Sequence, residues 1–402
     1  MKKSKEIIFL INCMCGGGAE SVVAILCNAM VERGKKVTLI ILNQKKEDAI
    51  LHHLEKDVNV VSLLDKVENI TTSQFVPEAL MLISRVVEKL GCVFGRKIIQ
   101  KAFVIRYISR NYKKTSFLKR FLKVRKSATL VAFMYDASFC SVLCKTSKNK
   151  LIISERGDPA QSSNSKTTMA FLKNEFQKAD GFVFQSPDAK KWYDENTSVK
   201  GTVIFNPIKA DLPESYHGER QNKIVNFCRI SVEKNLLMLI DAFEKFRNDF
   251  PDYELYVYGD PVGSAVAGYI DLVKEKIEKT ACNDKIFVLP SRRDIHEEIK
   301  DYAMFVSSSD FEGMSNSMLE AMALGLPVVC TDCPAGGARA VINDGENGLL
   351  VPVGDSESLY LAMKKVAEDE KLSEKLSRNA VAVRENQSLD KIIEKWMEII
   401  DG

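Results

Sequence analysis

The chain has 402 residues, 46% of them hydrophobic and 28% charged, with a net charge of +3. It is too long for one ordinary core and suits two domains of about 200 residues, and its balance excludes a disordered or fibrous protein. No run approaches the ~18 apolar residues of a spanning helix. No signal-peptide cleavage pattern follows the short apolar run Ile7–Ile11, so the expectation is a protein that stays inside the cell. The ten cysteines include Cys13 and Cys15 and a lone C-x-x-C, Cys330 with Cys333. No second pair completes a zinc site, so they read as reduced, mostly buried residues.

Ile7–Ile11 reads as a buried strand, and residues 13–18 as a glycine-rich turn into a helix with apolar positions Val22, Val23, Ile25, Leu26 and Met30, ended near Gly34. Residues 37–42 make a second strand. The unit is Rossmann-like, yet Gly16-Gly17-Gly18 lacks the G-x-G-x-x-G spacing of a dinucleotide fingerprint. Residues 58–63 read as a third strand, residues 77–90 and the basic stretch after them as helices, and Thr129–Phe133 resumes the sheet. From Arg96 to Lys126 there are twelve Lys and Arg and no acid. The rest of the chain is therefore net negative, and the cations form a local patch that suggests a local anionic partner. Residues 94–126 also carry Ile98, Phe103, Ile105, Ile108, Phe117, Leu118, Phe121 and Leu122 at broadly helical spacing. This basic helical insertion is suited to lying on an anionic bilayer, with Lys113, Lys114, Lys119, Arg120 and Lys123 facing the membrane. The alternative is that the apolar residues pack on the domain and the cations form a solvated face. Aromatic residues are not organised around the patch as a nucleic-acid site requires, so no nucleic-acid partner is expected.

Residues 151–154 read as a strand running straight into Glu155-Arg156-Gly157-Asp158-Pro159. Charges at a strand's carboxyl end suit a cleft, and equally a structural ion pair. A helix over 166–178, a strand over 181–185, a helix from Pro187 and a strand over 202–205 complete a first domain, residues 1–205. Asn206-Pro207 and the polar segment through Arg220 read as a linker. A second Rossmann-like domain over residues 206–386 opens with a strand at 224–228, then Arg229 to Lys234, then a helix over 236–247. Arg229 and Lys234 are two cations placed to neutralise a diphosphate.

Further strands are read at 253–258, ending at Gly259-Asp260, and at 285–289, ending at Pro290. The stretch 305–348 organises the rest. Residues 302–306 are a strand, Asp310 to Ser315 a loop, Asn316 the start of a helix that stops at Gly325, and residues 327–330 a strand. In an open α/β sheet such a loop lies at the carboxyl ends of the strands, and the helix start aims backbone N–H groups at an anion. Glu312 and Glu320, seven residues apart, are acceptor-only groups that suit ligand hydroxyls. Ser317 and Glu320 also spell a capping box. Gly336-Gly337 and residues 343–353 make a turn and a last strand, and amphipathic helices follow from Asp355 and from Ser388.

The run from Glu312 to Glu320, followed by Ala321-Met322-Ala323-x-Gly325-x-Pro327-Val328-Val329, resembles the retaining family 4 glycosyltransferases. So do Gly16-Gly17-Gly18-Ala19-Glu20, Asn206-Pro207, Arg229 with Lys234, and residues 343–355. The resemblance implies an α/β protein of GT-B fold, two Rossmann-like domains facing each other across a deep cleft, with the terminal helix, residues 387–402, returning to the first domain. It implies a nucleotide diphosphate sugar as donor, UDP-linked, and a glycan or lipid-diphosphate-linked acceptor in surface polysaccharide synthesis at the inner face of the cell membrane. Arg229 and Lys234 would take the donor diphosphate, Glu312 the transferred sugar and Glu320 the ribose. Gly17, Gly18, Gly313, Met314, Ser315, Asn316 and Ser317 would line the donor site, and Glu155 and Arg156 the acceptor side. No Asp-x-Asp motif is present, and the family implies no metal and no cofactor. Many relatives have Gly where Pro290 stands, which leaves Arg292 or Arg293 as candidates for contacts to the base. Two other readings are a nucleotide-sugar epimerase of the same fold and a basic nucleic-acid-binding module.

Overall fold

The structure is a computed structural model and describes residues 6–68, 75–261, 267–292 and 294–402. The chain divides into two compact units, one made of Met1–Ile204 with Ile393–Gly402 and the other of Phe205–Ile392.

In the first unit the elements alternate: β1 (Ile7–Ile11), α1 (Gly18–Glu32), β2 (Val37–Ile41), β3 (Asn59–Ser62), α2 (Leu63–Glu68), α3 (Phe75–Phe94), α4 (Arg96–Arg110), α5 (Tyr112–Lys123), β4 (Thr129–Phe133), α6 (Met134–Cys144), β5 (Lys150–Glu155), α7 (Pro159–Ser162), α8 (Lys166–Asn174), β6 (Gly181–Phe184), α9 (Pro187–Asn196) and β7 (Thr202–Val203). The seven strands pair in parallel in the order β3-β2-β1-β4-β5-β6-β7. The order reverses between β1 and β4. β1, β2 and β4 are buried throughout, as a parallel sheet covered on both faces requires.

The second unit repeats the plan with β8 (Gln221–Phe227), α10 (Leu236–Asp249), β9 (Glu254–Tyr258), α11 (Ala267–Lys279), β10 (Ile286–Leu289), α12 (Ile295–Ile299), β11 (Tyr302–Ser307), α13 (Asn316–Ala323), β12 (Val328–Thr331), β13 (Leu349–Val351), α14 (Ser356–Glu368), α15 (Glu370–Ala380), α16 (Val383–Asn386) and α17 (Leu389–Asp401). Its sheet, β10-β9-β8-β11-β12-β13, is again parallel and reverses between β8 and β11. The last ten residues of the chain, Ile393–Gly402, which include most of α17, group with the first unit. There Trp396 is fully buried and stacks on Phe133 at 5.9 Å, and Lys35 pairs with Asp401 at 3.1 Å.

Three sequence expectations change. Helix α6 was not visible as a stripe because seven of its eleven residues are buried, from Ala137 to Cys144, and a helix buried on nearly all sides has no polar face to mark its period. Residues 206–220 are not a free linker. Ile208 N–H donates to Gln387 O at 3.0 Å and Tyr216 N–H to Leu324 O at 2.9 Å, while the Arg220 guanidinium donates to the carbonyls of Tyr216, Lys300, Tyr302 and Gly325. The segment is docked through its backbone and belongs to the second unit. Third, the apolar residues between the cations of residues 94–126 face inward: Ala102, Val104, Leu118 and Leu122 are buried, and Phe103, Tyr107, Ile108, Phe117 and Phe121 pack against the core. The apolar stripe that was expected to enter a bilayer is core. Among the described residues, no helix is long and apolar enough to cross a membrane.

Candidate functional site

The second unit gathers its charged residues where the strand order reverses. β8 ends at Phe227, and the chain then passes Arg229 and a short 3-10 turn, Val232–Lys234, to Asn235. Asn235 adopts φ 44°, a left-handed conformation that Asn tolerates better than most residues, and its side chain caps α10 by accepting from Met238 N–H. The same side chain donates to Asp310 Oδ1 at 2.8 Å. Asp310 N–H donates to Glu233 O at 2.9 Å, and Ser308 Oγ donates to Lys234 O at 2.9 Å. The loops after β8 and β11 are thereby tied to each other. A ligand at the reversal meets one assembled surface.

Across these loops Lys234 pairs with Glu312, and their side chains are 12% and 25% exposed. Burial lowers the Lys234 pKa, but the attraction and hydrogen bond of Glu312 outweigh it and hold the ammonium above its ordinary value. Sequence reading gave the two residues separate tasks, and the structure joins them. Arg229 is 45% exposed and contacts Glu233 at 3.4 Å, a flexible surface pairing that leaves its guanidinium accessible.

Glu312, Gly313, Met314 and Ser315 lead into α13. Ser315 caps this helix by accepting from Met318 N–H at 3.2 Å, so the capping box read at Ser317 and Glu320 is not formed. The helix starts two residues earlier than that box requires. First-turn amides at Asn316 and Ser317 lie at the positive end of the helix, suited to an anion. The loop is braced closely: a Cβ on Gly337 would stand 1.5 Å from Gly313 O, so only glycine admits this approach. Asn206 donates to Met314 O at 3.3 Å and to Asn316 Oδ1 at 2.7 Å.

Glu320 is 8% exposed and has two polar partners that sequence reading missed, His296 Nε2 at 2.8 Å and Lys209 Nζ at 3.0 Å. Burial raises its pKa. The hydrogen bond with His296 and the charge of Lys209 more than offset this and hold the carboxyl below its usual range. His296 lies on the short helix α12 and meets the Phe227 ring edge-on at 6.0 Å. Neither partner was legible: Lys209 lies in the supposed linker, and His296 has no neighbour in sequence that hints at Glu320.

Of the base-reading candidates, Arg292 is engaged by Asp294 and Glu298, and Arg293 lies outside the described residues. Cys330 and Cys333 are both buried, and the Cys333 thiol donates to Ser309 O at 3.1 Å, a structural role at the end of β11. A cavity of about 490 Å³ in this unit, lined by His217, Arg220, Glu374 and Arg378 among others, contains none of the site residues. Chemistry, not enclosure, marks the site. No group of three or more His, Cys, Asp or Glu among the described residues is placed to hold a metal ion.

In the first unit, Gly16 takes φ 86° and Gly17 caps α1, which begins at Gly18. The Glu20 carboxylate folds back over Gly17, where an added Cβ would lie 2.3 Å from Glu20 Oε2. Glu155 and Arg156, expected on the acceptor side, are 2% and 8% exposed. Glu155 accepts from Tyr193 Oη at 3.0 Å and from the amides of Arg156 and Gly157, and Arg156 donates from Nε to Ser154 Oγ and lies over the rings of Phe133 and Trp396. These groups are buried and hold the end of β5 in place, unlike the exposed acceptor-side pair that was expected. What the strand ends do present is a polar cluster: Asn43 donates to Asn12, Lys114 donates to Asn43, and Asp136 lies within electrostatic reach of Lys114. Lys114 therefore belongs to this cluster and not to a membrane face. Burial lowers its pKa and raises that of Asp136. Met134, which opens α6 beside them, has φ 67° and is 40% exposed, a strained backbone of the kind that collects at functional sites.

Residues 208–383, nearly the whole of the second unit, match the family described as glycosyl transferases group 1. The chain is 29% identical over 205 residues, 48% of its length, to a poly(glycerol-phosphate) alpha-glucosyltransferase of Bacillus subtilis. It is 26% identical over 237 residues, 56% of its length, to an N-acetylgalactosamine-N,N'-diacetylbacillosaminyl-diphospho-undecaprenol 4-alpha-N-acetylgalactosaminyltransferase of Campylobacter jejuni. It spans 28% and 62% of the lengths of these two relatives. Among solved structures, a TarM variant of S. aureus in complex with fondaparinux, alpha-GlcNAc-glycerol and UDP superposes with a TM-score of 0.76 at 12% identity, over 99% of this chain and 100% of that one. The fold is that of the GT-B glycosyltransferases, and the second unit is similar to the group 1 glycosyltransferases.

Proposed function

We propose that the protein is a retaining glycosyltransferase of family 4 that moves a sugar from a nucleotide diphosphate sugar, UDP-linked, to a glycan or lipid-linked glycan acceptor in surface polysaccharide synthesis. The observation that carries this reading is the assembled charge surface at the β8/β11 reversal, where Arg229, Lys234, Glu312 and the start of α13 come from two loops tied to each other.

The reaction needs a departing diphosphate to be stabilised while an acceptor hydroxyl attacks an oxocarbenium-like centre from the same face. Arg229, Lys234 and the α13 amides supply that stabilisation, with no metal taking part. Glu312 orients Lys234 in the resting site and accepts from the hydroxyls of the transferred sugar. Glu320, anchored by His296 and Lys209, accepts from the ribose hydroxyls. The hydrogen bond with His296 and the charge of Lys209 favour its ionised form, and an ionised carboxylate is the better acceptor. In the first unit, Asn12, Asn43, Lys114 and Asp136 are the polar groups offered to an acceptor, in place of Glu155 and Arg156.

Thermal stabilisation by a panel of nucleotides and nucleotide sugars tests the donor, since a bound donor raises the melting temperature by mass action. UDP and one UDP-sugar should stabilise. No stabilisation by any member would remove the donor reading, and turnover of the donor without acceptor to an isomeric nucleotide sugar would replace it with the epimerase reading, which the glycosyltransferase relatives do not favour.

A further inference from the structure

Helix α3 carries an apolar face that is largely exposed among the described residues. Phe75 is 75% exposed, Leu82 62%, Val86 50%, Leu90 47%, Val93 78% and Phe94 69%. At 100° per residue these positions, with Val76 and Ile83, fall within an arc of roughly a third of the helix circumference. The opposite side is the packed one. Ser84 and Gly91 are buried there, and α4 runs back along α3, with Ile99 so close to Gly91 that an added Cβ would stand 2.5 Å from it and with Arg106 paired to Glu88. Ser109 Oγ at the far end of α4 donates to Pro77 O at 2.6 Å. α3 is thus the outer layer of a helical hairpin whose inner layer, α4, contacts the core.

The charge around that face is predominantly positive. Arg85 and Lys89 lie along one edge of the apolar arc, and Arg96 and Lys97 follow immediately after its end, all four exposed. Over residues 75–126 there are fourteen Lys and Arg against Glu78 and Glu88 only, and Glu88 is neutralised by Arg106. A second copy of this chain would bring an equally cationic hairpin against the first, which like-charge repulsion opposes.

We propose that α3 is a membrane-docking helix that lies flat on an anionic bilayer, its apolar arc in the headgroup and acyl boundary and Arg85, Lys89, Arg96 and Lys97 at the lipid phosphates. At 1.5 Å per residue it is about 30 Å long, and Arg85, Glu88 and Lys89 within it suit lying on the surface and not crossing. The surface is separate from the donor site and stands whether or not the donor reading does. It also moves the membrane contact from α5, where the sequence placed it, to α3.

The test is co-sedimentation of the whole chain with vesicles of phosphatidylcholine alone or with phosphatidylglycerol. Wild type should pellet with the phosphatidylglycerol vesicles, less so as salt screens the charges, and stay in solution with the neutral ones. Changing Leu82, Val86 and Leu90 together to Ser should abolish pelleting while thermal unfolding stays within a few degrees of wild type, because the three side chains are exposed. Removing Arg85, Lys89, Arg96 and Lys97 one at a time as Gln should weaken binding on the order of fivefold each. Changing Lys113, Lys119 and Lys123 to Gln should weaken it less. Equal pelleting of the triple Ser variant and wild type overturns the proposal, as does equal binding of wild type to neutral lipid. A concentration-dependent dimer that the Ser variant loses would assign the face to a second copy instead.

Discussion

Glu155 in the first unit and Glu320 in the second are both nearly inaccessible, at 2% and 8%, one ending a parallel strand and the other on the helix after one, yet their pKa values shift in opposite directions. Burial raises the Glu155 pKa, and the hydrogen bonds of two backbone amides and tyrosine hydroxyls offset only part of it. Burial acts in the same direction on Glu320 but is outweighed by His296 and Lys209. Desolvation alone favours a neutral acid, whereas ionic partners preserve a carboxylate acceptor. The first arrangement lets burial prevail, and the second holds a carboxylate in its charged form. The same contrast separates Arg156, stacked on Phe133 and Trp396, from Lys234.

The largest effect should come from the charged surface of the second unit. Lys234→Ala should lower kcat by roughly 100- to 1,000-fold, the range for losing one preorganised electrostatic stabiliser, and should raise KM by less, because charge on the leaving group peaks in the transition state. Arg229→Ala should act in the same direction and less strongly, being half exposed and free to be replaced by water. A change in KM alone for Lys234→Ala would mean uniform binding and would break the contrast.

Glu320→Gln keeps size and removes charge. Donor affinity by calorimetry should fall by about ten- to a hundredfold, the scale of a hydrogen bond to a charged group, with fold and α13 intact, since Ser315 and not Glu320 caps that helix. His296→Gln should produce a smaller loss of the same kind, because Lys209 still holds the carboxylate. Unchanged affinity in Glu320→Gln would reduce the His296–Glu320–Lys209 group to a structural one, like that around Glu155.

Glu155→Gln should do the reverse: kinetic constants near wild type and a loss of about 1–3 kcal/mol of stability in chemical denaturation, since one amide oxygen replaces two carboxylate oxygens that accept from buried donors. Loss of turnover with stability intact would restore Glu155 to the acceptor side.

The smallest effect is the pH dependence, and its sign distinguishes the two glutamates. A depressed folded pKa at Glu320 contributes stability that is present above the ordinary glutamate value, about 4.3, and lost as pH falls through the folded value. A raised one at Glu155 contributes stability that is present below the ordinary value and lost as pH rises through the folded value. The difference in melting temperature between wild type and Glu320→Gln should therefore shrink on acidification. For wild type against Glu155→Gln the titration works in the opposite sense. Parallel trends in the two variants would show that the environments are not distinct.

Periodicity and turn chemistry by themselves determined the two Rossmann-like units, the strand ends at which chemistry collects, and the positions of Arg229, Lys234, Glu312 and Glu320, because short apolar runs bounded by glycines and charges are local signals carried by neighbouring residues. Helix α13 was legible from Asn316 to Gly325 for the same reason. What only the tertiary structure decided are the partnerships: Lys234 with Glu312 across 78 residues, His296 with Glu320 across 24, and Lys114 with Asn43 across 71. Each depends on how a parallel sheet brings distant strand ends side by side, which no local pattern encodes. The basic hairpin fails in the same way. Sequence shows that α3, α4 and α5 each have an apolar side, but not which of those sides the core covers. The fold spends the faces of α4 and α5 on packing and leaves that of α3 at the surface.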